Sequence, residues 1–216
     1  MKKSVISLCA CGALLIVALI GGTLAYFNDV ETSTNTFTFG DNVGISLIEN
    51  SDPDPTSGFA TGTPNPTNNG FDYDVVPGMK YAKKPVVTVD ADSLDAYVFG
   101  EIVVDHYNEL YAALSAAGED PTKLDKLLVN ADLGTGEVVD AWMEGDAFHI
   151  VYTKGKMSAS DSWTMFEAVE IPATLTGENI EAFANEIVSM TINAYAVQAE
   201  GIDTVADAWA AVDPAA

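Results

Sequence analysis

The sequence contains no arginine; its nine Lys and Arg positions are all lysine, set against 32 acidic residues and a formal net charge of −23. So anionic a chain repels phosphate backbones and anionic headgroups, which excludes nucleic acid as a partner. Cysteine is nearly missing as well. The two present, Cys9 and Cys11, lie within the uncharged apolar run of residues 5–20, behind Lys2 and Lys3. That run is shorter than the roughly 20 residues a membrane span needs, and Gly21-Gly22 and Thr23-Leu24-Ala25 follow it, so residues 1–25 read as a secretory signal cut between Ala25 and Tyr26. Both thiols are expected to leave with it, and no membrane attachment is expected afterwards. The exported chain then has no disulfide, no thiolate metal site and no cysteine nucleophile. Neither cysteine fits a lipidation signal, because both precede most of the apolar run.

The signatures of common secreted enzymes are also missing: there is no HExxH helix and no GxSxG elbow. Only two imidazoles exist. His106 stands beside Asp105 at an expected helix start and His149 inside an expected strand, and both read as ordinary surface or core histidines. No catalytic residue, bound cofactor or metal ligand is therefore expected. Calcium is a better candidate than zinc, because hard cations take carboxylate oxygens and Asp52, Asp54, Asp72, Asp74, Asp90, Asp92 and Asp95 fall in or near expected loops. An EF-hand loop beginning at Asp52 would put Ser57 where glycine is required and Thr63 where the bidentate glutamate belongs, so a solvated acidic loop is the better reading. Carboxylate pairs suited to glycoside hydrolysis arise by chance among 32 acidic residues and carry no argument. Tyr97, Phe99, Tyr107 and Tyr111 read as core aromatics rather than as a ligand groove.

What the chain does have is core-forming material, with 48% hydrophobic residues. Residues 26–216 are long enough for one large domain. Within it, residues 26–40 carry Phe37 and Phe39 between threonines, and Val43, Ile45 and Leu47 alternate with Gly44, Ser46 and Ile48; both stretches read as strands. Residues 50–74, dense in Pro, Gly, Asn, Asp and Thr, read as an exposed loop. Further strands are expected at 86–89, 96–104, 137–142, 147–153 (ending in a turn at Lys154-Gly155-Lys156), 163–171 and 189–198. Helical spacing of Tyr107, Leu110, Tyr111 and Leu114, then of Leu124, Leu127 and Leu128 after Pro121, marks residues 105–131 as a helical insertion. Two more helices are expected at 178–186 and 204–212, the second capped by Thr204. The fold class is mainly β, a β-sandwich with short helical insertions.

Three blocks carry a resemblance. The first runs from Gly21-Gly22-Thr23-Leu24-Ala25-Tyr26-Phe27-Asn28-Asp29 through Glu31-Thr32-Ser33-Thr34-Asn35-Thr36-Phe37-Thr38-Phe39-Gly40 to residues 43–49. The others are Val76-Pro77-Gly78 leading to Lys84-Pro85-Val86-Val87, and SMTINAYAVQAEG at residues 189–201. Together they resemble the TasA and camelysin family. The resemblance implies export with a leader cut by a SipW-type signal peptidase and a jelly-roll-like sandwich. It also implies a secreted, extracellular biofilm-matrix or surface-fibre subunit that assembles with copies of itself. Residues 26–40, with Phe27, Val30, Phe37 and Phe39, would then serve as a donor strand completing the next subunit's sheet. The same family implies a rival role as a camelysin-like surface metalloprotease. A third alternative is a monomeric adhesin or binding module that shares only the leader and the scaffold.

Overall fold

The computed structural model describes residues 28–32, 43–50, 57–65, 70–180 and 188–212. In chain order its elements are β1 (Asn28–Thr32), β2 (Ile45–Asn50), β3 (Thr63–Asn65), β4 (Gly70–Asp72), β5 (Lys80–Ala82), β6 (Lys84–Val89) and β7 (Ala96–Val104). Helix α1 (Tyr107–Ala116), a 3-10 helix (Leu124–Leu127), β8 (Leu128–Val129), β9 (Val138–Glu144), β10 (Ala147–Met157), β11 (Ser162–Thr164) and β12 (Ala168–Glu170) follow. The chain continues through α2 (Gly177–Ile180), β13 (Met190–Gln198) and α3 (Val205–Val212). The largest sheet has the order β1-β13-β7-β10-β9, every pairing antiparallel. A second sheet is β11-β6-β2, a third β5-β12-β8, and β3 and β4 form a small hairpin.

Side-chain alternation explains the layering. Along β7, Val98, Ile102 and Val104 join Ile192 and Ala194 of β13 and Tyr152 of β10 in one buried cluster. The same cluster contains Ile45 and Leu47 of β2, Val87 and Val89 of β6 and Trp163 of β11. The two sheets thus bury a common apolar interior, and the protein is a β-sandwich. Odd-numbered positions of β7 face the other way. Tyr97 and Phe99, with Val151, Tyr195 and Val197, pack with Ala208 and Val212 of α3, so the helix lies over the outer face of the large sheet. Covered on both faces, β7 has eight of nine residues buried, which is why its sequence is nearly continuous in apolar residues instead of alternating. Burying each large aliphatic side chain contributes roughly 1.5–3 kcal/mol, and this sandwich interior is the chain's main source of stability.

Several expectations need correction. Lys154-Gly155-Lys156 is no turn: β10 runs through it to Met157, and its pairing with β7 shifts register between Thr153 and Gly155. The Thr153 hydroxyl donates to the Val98 carbonyl at 2.8 Å and accepts the Gly155 N–H at 2.9 Å, which holds a β-bulge with Gly155 at φ 82°. The strand bends there without reversing. The single strand expected at 163–171 is two, because Met165 and Phe166 are fully buried between β11, which pairs with β6, and β12, which pairs with β5 and β8. Tyr111 is 43% exposed, not core. The expected loop at 50–74 contains the last residue of β2 and the β3–β4 hairpin. The helical insertion at 105–131 ends in strand β8. Of the expected helix 178–186, residues 181–186 lie outside the described residues.

Candidate functional site

The expected donor strand is described only at residues 28–32, which form β1; Ala25, Tyr26, Phe27, Phe37 and Phe39 lie outside the described residues. β1 is an edge strand paired on one side, with β13, in the register Asn28↔Val197, Val30↔Tyr195 and Thr32↔Asn193. The first described strand of the chain therefore adds to the last one.

Beneath α3, the three strands that follow β1 across the sheet, β13, β7 and β10, carry a polar cluster that the sequence reading missed. Glu101, on β7, is 2% exposed. Its Oε2 accepts from the Tyr195 hydroxyl at 2.6 Å and from Asn193 Nδ2 at 2.7 Å, and its Oε1 lies 2.6 Å from His149 Nδ1. Register makes this possible: Asn193 stands directly opposite Glu101, while Tyr195 and His149 stand opposite Phe99 and Val103, two residues to either side and on the same face. The ring of Trp142 stacks on His149 at 4.7 Å, and Trp209 of α3 meets Tyr195 edge-on at 5.7 Å. Burial, reinforced by the adjoining Glu101 carboxylate, pushes the Tyr195 hydroxyl far above its ordinary range. Asn193 Oδ1 is buried without a hydrogen-bond partner. The signal for this cluster was present in Glu101 itself, a carboxylate inside the apolar run AYVFGEIVV, since a buried acid requires donors around it.

Just past the C-terminal end of β7 the chain gathers His106, Glu109 and Asp146, whose ligand-type atoms lie within 4.8 Å of one another. His106 immediately precedes α1 and Glu109 is in its first turn, while Asp146 is in the β9–β10 turn. The hairpin docks on the helix start through its backbone: the Asp146 carbonyl accepts the Tyr107 N–H at 3.0 Å. His106, read as an ordinary surface or core histidine, is partly exposed and has the carboxylates of Glu109 and Asp146 beside it. Among the described residues this is the one group of three metal-ligating side chains, and Asp72, Asp74, Asp90, Asp92 and Asp95 form no such group. Asp52 and Asp54 lie outside the described residues.

By its architecture this is a mostly β sandwich protein with one helix laid across the outer face of its main sheet. Residues 1–51 match the family model described as camelysin metallo-endopeptidase, which bears out the likeness to the TasA and camelysin family over the N-terminal part of the chain. No curated protein and no solved structure matches at a significant level. No helix among the described residues is long and apolar enough to cross a membrane.

Proposed function

We propose that this chain is a secreted structural protein, a subunit of extracellular matrix or surface fibres that assembles by exchanging its N-terminal strand between copies. The observation that carries the reading is the place of β1. It is the sheet's edge, it precedes everything else described, and among the described residues it pairs with β13 alone. Withdrawing it breaks no interior pairing, and the β13 edge it leaves can accept the same segment from another copy. Strand addition of this kind gains main-chain hydrogen bonds, and a head-to-tail contact that does not close gives a filament. The family likeness, concentrated in residues 1–51, covers this segment and supports a place at the cell surface or outside it.

The test is truncation. A chain starting at Asp41 is expected to stay folded and monomeric, and an added peptide of residues 26–40 to bind it and restore its stability. Filaments that form equally well from the truncated chain, seen by electron microscopy, would show that β1 is not the exchanged element. The family's description as a metallo-endopeptidase, together with the His106, Glu109 and Asp146 group, favours a second reading as a metal-dependent surface protease. Chelator-sensitive cleavage of casein by the purified chain would select it.

A further inference from the structure

We infer that His106, Glu109 and Asp146 form a binding site for a divalent cation of the zinc class, which clips the start of α1 to the β9–β10 hairpin. Their spacing in the fold is close to what such an ion needs. Zinc ligands sit about 2.0–2.2 Å from the ion, so tetrahedral neighbours are roughly 3.3 Å apart. His106 Nδ1 and Asp146 Oδ2 are 3.5 Å apart, and one oxygen of Glu109 completes a group that spans no more than 4.8 Å. Side-chain movements of up to about 1.5 Å close the difference, and a water takes the fourth position.

A second observation points to a ligand in the same place. Glu109 Oε2 is shielded from solvent and has no hydrogen-bond partner, although an unsatisfied buried carboxylate oxygen is costly. A cation supplies what that oxygen lacks. Asp146 is already oriented: Asn108 Nδ2 donates to its Oδ1 at 2.5 Å, leaving Oδ2 turned toward His106. A hydrogen-bonded outer partner of this kind is what orients a metal-binding carboxylate. One imidazole with two carboxylates suits a borderline cation such as Zn²⁺ better than Ca²⁺ or Mg²⁺, which take all-oxygen shells of six or more ligands. The chain's net charge of −23 raises the local concentration of any cation. The site lies outside residues 1–51 and does not depend on strand exchange, so it stands or falls separately from fibre assembly.

The test uses the purified full chain carrying Cys9→Ser and Cys11→Ser, so that leader thiols cannot take the metal. Zinc titration by calorimetry is expected to show one equivalent bound, and zinc, unlike calcium or magnesium at equal concentration, to raise the melting temperature by several degrees. Glu109→Gln keeps the side chain's shape and is expected to remain folded by circular dichroism while losing about tenfold or more in zinc affinity; His106→Ala and Asp146→Asn should do the same. X-ray absorption of the zinc-loaded chain should report nitrogen and oxygen ligation with one imidazole. Absence of stoichiometric zinc binding, undiminished binding by folded Glu109→Gln, or binding abolished by His149→Gln but not by His106→Ala would each overturn the assignment.

Discussion

The Tyr195 hydroxyl donates to Glu101 Oε2 across 2.6 Å, joining the last strand of the main sheet to its central strand under the cover of Trp209. Asn193 and His149 complete the set of groups around the same carboxylate. A buried acid with so many partners ties three neighbouring strands to one register, because a one-residue slip would move each partner to the opposite face.

Glu101→Ala leaves a tyrosine hydroxyl, an amide and an imidazole without their shared acceptor. The expected loss is about 3–5 kcal/mol in unfolding free energy from urea titration, and Glu101→Gln is expected to lose less, roughly 1–3 kcal/mol. A change within about 0.5 kcal/mol for Glu101→Ala would mean that the cluster does not hold the sheet.

Alkaline pH should destabilise the fold through buried tyrosines. Burial, with Asp125 adding to it, pushes Tyr152 up to about 12 from its ordinary 10.0. Its pKa is raised in the folded state, so its contribution is fully present below pH 10 and is lost as pH rises toward about 12. In that window the unfolded chain binds fewer protons than the folded one, and stability falls by about 1.4 kcal/mol per pH unit for each such group. Tyr195 shifts in the same direction. Tyr152→Phe should flatten the alkaline limb of a plot of melting temperature against pH; an unchanged limb would refute Tyr152's part in it.

Two glycines separate backbone strain from close packing. Gly134 has φ 68°, and a Cβ there would lie 1.8 Å from the Thr153 carbonyl oxygen; Gly136 has φ 76° with open space around it. Gly136→Ala should lose about 1–2 kcal/mol from the left-handed backbone alone. Gly134→Ala must in addition push the loop off β10, so its melting temperature should fall clearly further. Equal losses would show that the contact with Thr153 yields at no cost.

Assembly should respond to charge. Loss of a leader carrying Lys2 and Lys3 would take the formal charge from −23 to about −25, and like subunits repel unless ions or protons screen them. Light scattering is expected to show faster assembly at acidic pH, at higher salt or with added calcium. Fastest assembly at high pH and low salt would contradict this.

Much of the fold was legible in the sequence because local pattern decides it. Period-two runs marked β2 and β13, and the helical spacing of Leu110 and Leu114 marked α1. Thr204, whose hydroxyl accepts the Asp207 N–H at 3.1 Å, marked the start of α3. Failures came where neighbours in space override local preference. Lys154-Gly155-Lys156 looks like a turn, but the ladder with β7 carries the strand through it as a bulge. Residues 163–171 look like one strand, yet two different sheets claim its halves.

The sequence by itself determined the mainly β class, the unbalanced negative charge, the leader-like N-terminus and the family likeness of residues 1–51, all of which are properties of composition and local order. Tertiary structure alone decided which polar residues meet. Glu101 and Asn193 are 92 positions apart, and His106 and Asp146 are held together only because the β9–β10 hairpin docks on the start of α1. Such meetings depend on strand register and on how layers stack, and these are fixed by the burial of whole faces, which no short window of sequence contains.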